Sequence, residues 1–177
     1  MRFSGRERHT VDAKGRLSMP LRFRETVFEH AKAKDASTLV LVPWFDECIR
    51  VFPKTTWAER LNHMEAQLEH VDSFGYSEEE SDLRRLIFGM ATPVQMDGHG
   101  RIVLPVDLRE VAQIERDLYW VGIGSCLELW NPDRLTTQLG GDRARTLRKR
   151  LSELGTRHKT TALPEETPNS AGMEDSP

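Results

Sequence analysis

The sequence predicts an α+β fold in which two tandem copies of one strand–turn–strand–helix–hairpin unit pack their sheets into a single pseudo-twofold barrel. Three observations predict it. The segment Asp12-Ala13-Lys14-Gly15-Arg16-Leu17-Ser18-Met19-Pro20 returns 85 residues later as Asp97-Gly98-His99-Gly100-Arg101-Ile102-Val103-Leu104-Pro105. Asp, Gly, Arg and Pro recur in register, and the register continues to Arg24-Glu25 over Arg109-Glu110. Self-similarity at a fixed offset marks a repeated supersecondary unit. Each copy is followed by a helical pattern and then by two apolar runs of strand length. A unit of about 45 residues is too small to bury a core alone, so two must share one.

Residue chemistry justifies each element in turn. Residues 6–19 form a strand pair around a turn in which Gly15 supplies a positive φ and Asp12 bonds its own backbone two residues on. Arg16 then projects from the turn or the next strand, and Pro20 ends that strand and starts a helix. The helix runs to about Ala33 with Leu21, Phe23, Val27 and Phe28 as its apolar contacts. Thr38-Leu39-Val40-Leu41-Val42, the Pro43–Glu47 turn and Cys48-Ile49-Arg50-Val51-Phe52 make a hairpin. Two linking helices follow. The first begins near Thr55 or Thr56 and carries Trp57, Leu61, Met64, Leu68 and Val71 on one stripe, more often core than partner site. The second opens on a capping box, Ser77 with Glu80, and shows Leu83, Leu86, Ile87 and Met90.

The second copy runs from Ala91 to about Arg134, with Asp97 and Gly100 in the turn, a helix from Pro105, and a hairpin pairing Leu118–Ile123 with Cys126–Trp130. Asn131 or Asp133 caps a further helix to about Leu139. A basic, helical segment follows the Gly140-Gly141 break. The expected division is repeat 1 over 6–56, a helical linker over 57–90, repeat 2 over 91–134, a basic helical segment over 135–157, and a disordered acidic tail over 158–177.

Composition bounds the function. Hydrophobic residues make up 38% and charged residues 30% of the chain, as in soluble globular proteins. No apolar run of 18 or more residues predicts a transmembrane helix, and Met1–Gly5 has no secretory h-region, so a cytoplasmic protein is expected. Cys48 and Cys126 occupy matching places in the two copies, which favours small buried strand residues over a disulfide or metal pair. The net charge of −3 hides separated blocks. Residues 1–24 carry seven Arg or Lys against two acids, and 134–159 carry eight against two. Residues 59–85 carry eight acids against three Arg, and 160–177 four acids and no base. Such blocks mean faces of opposite sign.

The repeated Asp-x-x-x-Arg pair has two readings. One is an internal ion pair that pins the turn. The other is an arginine aimed at phosphate or a guanine edge. Other chemistry is weak. Gly122-Ile123-Gly124-Ser125 is not a nucleophile elbow, and Gly98-His99-Gly100 lacks a third glycine at dinucleotide spacing. His63 and His70 lack a third metal ligand. No catalytic residue, cofactor or metal is expected.

The first-copy segment with Arg22-Phe23-Arg24 resembles the first repeat of the MraZ family of bacterial transcription regulators. So does Leu83-x-x-Leu86-x-Phe88-Gly89-x-Ala91 running into Gln95-Met96-Asp97-Gly98-x-Gly100-Arg101. The match covers roughly residues 1–135. It implies two tandem SpoVT/AbrB-like repeats in a double-split, swapped-hairpin β-barrel. It further implies a ring-shaped homo-oligomer that binds short direct repeats of double-stranded DNA near promoters, controlling the division and cell-wall gene cluster including its own gene.

On that resemblance Arg16 and Lys14 match the DNA-contacting turn, with Arg101 and His99 as their counterparts. Arg22, Arg24 and Arg109 are further candidates. Since His99 replaces the lysine, the first repeat ranks as the stronger reader. A nucleoid-associated protein with no membrane or small-molecule partner follows. The acidic linker helices are expected to face away from DNA or toward neighbouring subunits, where Arg84, Arg85 or the basic C-terminal segment could pair with them. Arg143, Arg145, Arg148, Lys149 and Arg150 read as an auxiliary DNA arm or an oligomer contact, and Trp44 with Phe45 as a subunit interface. The alternative is a non-catalytic protein-interaction module of the antitoxin-like AbrB type.

Overall fold

The structure, a computed structural model, describes residues 2–30, 37–68 and 77–159. Contacts divide the chain into two compact units, Met1–Thr136 and Thr137–Pro177. In the first unit the elements run β1 (Phe3–Thr10), β2 (Arg16–Ser18), α1 (Leu21–His30), β3 (Thr38–Trp44), β4 (Cys48–Pro53), α2 (Lys54–Leu68) and α3 (Glu78–Arg84). They continue as β5 (Thr92–Gln95), β6 (Arg101–Val103), α4 (Val106–Val111), β7 (Asp117–Gly124), β8 (Leu127–Trp130) and α5 (Pro132–Leu139), whose last residues enter the second unit. The second unit is α6 (Gly141–Lys159).

The fold is α+β, with an antiparallel sheet in the order β1-β7-β8-β4-β3-β5 and a separate two-stranded ladder, β2-β6. The strands do not close into the expected barrel. Next to the ladder, β1 reaches β2 only through the isolated bridge Val11↔Leu17, so sheet and ladder stay distinct. The two repeats exchange strands instead of folding side by side. The first strand of each pairs with the third strand of the other, β1 with β7 and β5 with β3. Reversing the sheet order swaps every element for its repeat partner, so a pseudo-twofold axis runs through the molecule.

That axis passes between Leu17 and Ile102 in the ladder and between Arg50 and Glu128 in the sheet, where equivalent positions face each other. Leu17, Ile49, Val51, Ile102, Leu127 and Leu129 point inward with Phe23, Leu108 and Trp120 to form the main core. On the other sheet face, Trp57 of α2 packs with Val40, Val42, Phe52, Ile87 and Cys126, backed by Leu61 and Met64. Trp57, Leu61 and Met64 of the stripe therefore belong to the core. Glu128 is buried on this face and Arg50 half-buried beside it. Arg50 Nε donates to Glu128 Oε1 at 3.1 Å, Trp130 Nε1 donates to Oε2 at 2.8 Å, and the guanidinium lies 4.0 Å over the Trp44 ring.

Several local signals are realised. Ser77 caps α3, its hydroxyl accepting from Glu80 N while the Glu80 carboxylate accepts from Ser77 N. A single π-turn, Arg85–Gly89, continues α3. Asn131 Oδ1 accepts from Asp133 N at 2.8 Å and so caps α5. Cys48 and Cys126 are free thiols, both buried. Burial pushes the Cys126 thiol up to about 11 and raises Cys48 as well. Pro43 lies within β3, opposite Ile49, so the hairpin turn is shorter than the Pro43–Glu47 expected. α6 continues through Gly155, because one interior glycine costs a helix only about 1 kcal/mol. Ala33, Val71, His70 and the tail from residue 160 lie outside the described residues.

Candidate nucleic-acid interface

The two repeated turns are near copies of each other. Asp12 Oδ1 accepts from the backbone N–H of Lys14 and of Arg16, each at 2.9 Å, and Oδ2 accepts from Arg16 Nε at 2.7 Å. Asp97 does the same with His99 and Arg101, at 2.9, 2.9 and 2.8 Å. Gly15 and Gly100 take φ of 77° and 78°, a region closed to most side chains. Each turn then grips the other. Met19 N donates to Gly100 O at 2.9 Å, and Leu104 N donates to Gly15 O at 2.8 Å.

These bonds set the charge of the turn. The Arg101 backbone N–H, with the guanidinium and the His99 N–H, lowers the Asp97 carboxyl to about 2. The Arg16 backbone N–H and guanidinium lower Asp12 in the same way. Both aspartates therefore stay ionised and hold their arginines. The ion-pair reading of the motif is realised, and it leaves room for the second. Only Nε of each arginine is engaged, and the Nη groups have no partner among the described residues.

The ladder aims those groups. Arg16 pairs with Val103, Leu17 with Ile102, and Ser18 with Arg101. Alternation sends Leu17 and Ile102 into the core, at 0% and 1% exposure, and turns Arg16, Ser18, Arg101 and Val103 outward together. Trp120 Nε1 donates to Ser18 O at 3.1 Å from beneath, which ties the ladder to β7. Lys14 and His99 are exposed at the flanking turns. Sequence reading does not single out Ser18 and Val103. The period-two pattern around Leu17 and Ile102 is the signal that finds them.

The remaining candidates divide. Arg24 reaches across the repeats, its guanidinium donating to His99 O at 2.9 Å, so it buttresses the second turn. Arg22 pairs with Glu7 of β1 and lies over the Phe23 ring. Arg109 donates to Ile114 O at 3.2 Å and Glu115 O at 2.7 Å, closing the chain that leaves α4. Its guanidinium thus serves its own repeat, in a cleft it shares with Arg8 and Arg116.

Among the described residues no three His, Cys, Asp or Glu side chains converge as a metal site. No described helix is long and apolar enough to cross a membrane.

Comparison with known proteins agrees with the repeat. A family model described as "MraZ protein, putative antitoxin-like" matches residues 2–75 and 87–153. A protein of Saccharophagus degradans named transcriptional regulator MraZ is 37% identical over 131 residues, covering 74% of this chain and 83% of that protein. The protein of that name from Thermomicrobium roseum is 35% identical over 137 residues, 77% of this chain and 86% of its own length. The one from Herpetosiphon aurantiacus is 34% identical over 155 residues, 86% of this chain and 99% of its own length. With two divergent copies of one turn held in a shared ladder, and with relatives matched over 83–99% of their own length, this chain belongs to the MraZ family.

Proposed function

We propose that this chain is a sequence-specific DNA-binding transcriptional regulator. It acts as a ring-shaped oligomer at promoter-proximal direct repeats, as a repressor of the division and cell-wall gene cluster that includes its own gene. The observation that carries the reading is the outward face of the β2-β6 ladder, where Arg16 and Arg101 stand together with their Nη groups open. A two-stranded ribbon fits the major groove, which is about 12 Å wide, and arginine is the residue that reads a guanine edge bidentately. Pre-ordering by Asp12 and Asp97 lowers the conformational cost of that contact. The names of the relatives support regulation as the role.

Arg16 and Arg101 would read bases, Lys14 and His99 would meet the flanking phosphates, and Arg22 and Arg24 would support the turns. Arg109 enters as the residue that holds the α4 exit. Repeats over 6–56 and 91–134, joined by the linker 57–90, are the functional division. Exchange of β1 and β5 between them supports a swapped-strand reading of the two repeats, with sheet and ladder left unclosed. One subunit offers few cations, and a ring raises the effective concentration of the next patch. A protein bound to the chromosome would be cytoplasmic and nucleoid-associated.

Fluorescence anisotropy tests the reading. Labelled duplex from upstream of this protein's gene is titrated across salt beside a scrambled duplex and Arg16→Ala. Selective binding, lost in the variant and falling with log salt, is expected. Equal weak binding to both duplexes would favour the protein-interaction module instead.

A further inference from the structure

We propose that the acid-rimmed apolar cleft between the tip of the first hairpin and α3 is a docking site for helix α6 of a second copy of this chain. The cleft, about 590 Å³, is lined by Phe45, Leu83 and Leu86, with Glu78, Glu79 and Asp82 around them. Phe45 is 52% exposed and Leu83 36%. Large apolar side chains left open beside one another mark a contact surface. Asp82 is engaged by Arg85 at 2.6 Å. Glu78 and Glu79 have no ion-pair partner among the described residues, and both are exposed.

Taken by itself, α6 is the complement of this cleft. Ala144, Leu147 and Leu151 recur at three- and four-residue spacing, which places them on one stripe. Leu147 and Leu151 are 39% and 67% exposed. At 100° per residue, Arg148 borders the stripe on one side, and Arg143 and Arg150 border it on the other. All three arginines are exposed. An apolar stripe between arginines therefore faces an apolar cleft between carboxylates, and both the burial and the charge favour the same pairing. Arginines on both flanks also disfavour the simplest rival occupant, a second α6, because like charges would meet across that seam.

The proposal rests on the oligomeric part of the proposed function and is independent of DNA. It gives the ring a joint of defined chemistry: the basic helix of one subunit on the linker helix of the next. It also assigns the arginines of 143–150 to assembly.

Sedimentation velocity on the full chain without DNA tests it, using Glu78→Lys/Glu79→Lys, Arg148→Glu/Arg150→Glu, and all four changes together. The wild type is expected to form a discrete oligomer. Each charge reversal should raise its dissociation constant by about tenfold or more, and the fourfold swap should recover most of that loss, as expected for a charge pair across an interface. A monomeric wild type, an oligomer indifferent to either reversal, or a fourfold swap that stays dissociated would each overturn the proposal. Anisotropy on the same proteins keeps the two readings apart, since a wild-type oligomer that obeys the swap yet ignores DNA counts against the regulator alone.

Discussion

Replacing Glu128 with alanine should destabilise the fold more than any surface change, and the structure sets the size. The Glu128 side chain is 9% exposed and its partner Arg50 16%, so neither charge is solvated well enough to stand alone. The carboxylate serves two donors, Arg50 Nε at 3.1 Å and Trp130 Nε1 at 2.8 Å, and the substitution orphans both. Breaking a buried pair by removing one partner costs about 3–5 kcal/mol. An unmet buried N–H costs about 1–3 kcal/mol, partly counted already. A total near 4 kcal/mol is expected. With a urea slope near 2 kcal/mol per molar, the unfolding midpoint should fall by about 2 M with the slope unchanged. All samples must be at one protein concentration, because the proposed assembly would add stability of its own. The companion variant Arg50→Met/Glu128→Leu removes both charges and should recover at least half of the loss. A midpoint shift below about 0.5 M for Glu128→Ala would refute the desolvated-pair reasoning. A double variant no better than the single would refute its attribution to uncompensated charge.

Four further outcomes are expected. Arg16→Ala should weaken specific DNA binding by about 1–3 kcal/mol per contact and Arg101→Ala by less, measured by anisotropy with assembly intact; equal losses would overturn the ranking of the repeats. Lys14→Ala should weaken binding to all duplexes alike and reduce the slope of log affinity against log salt by about one. Asp97, held at about 2 against an ordinary 3.8, stabilises its turn fully above pH 4 and loses that contribution as pH falls toward 2. Unfolding midpoints measured across that window should drop less in Asp97→Asn than in the wild type. Gly100→Ala should cost about 1–2 kcal/mol for its positive φ and displace Arg24, whereas Gly98→Ala, with open space around it, should be nearly silent in thermal unfolding.

Local order was legible and non-local order was not. The turns, the β3-β4 and β7-β8 hairpins, the Ser77 and Glu80 capping box and the Asn131 cap are decided within a few residues, so the residue types alone place them. The strand pair expected over residues 6–19 is not formed, because β1 pairs with β7 and β2 with β6. Strand exchange between repeats is decided by contacts about a hundred residues apart, such as Arg8 beside Tyr119, and no local pattern encodes it. The site shows the same limit. Arg24-Glu25 and Arg109-Glu110 are equivalent in sequence, yet Arg24 spans to the other repeat and Arg109 to its own helix exit. The cause is helix length. α1 runs through His30, whereas α4 stops at Val111 and turns through Gln113 at φ 50°, which brings the carbonyls of Ile114 and Glu115 within reach of Arg109.

The pseudo-twofold axis through Leu17 and Ile102 has a consequence for direction. A face that looks the same after half a turn presents the same groups to DNA read either way, so Arg16 and Arg101 alone give a subunit no sense of upstream and downstream. Direct repeats, unlike palindromes, have a polarity. If the ladder reads direct repeats as proposed, that polarity would have to come from the places where the two copies differ. On the outward face these are Ser18 against Val103, and Lys14 against His99. In an ancestor with identical halves these differences would be missing, and the arrow along the DNA with them.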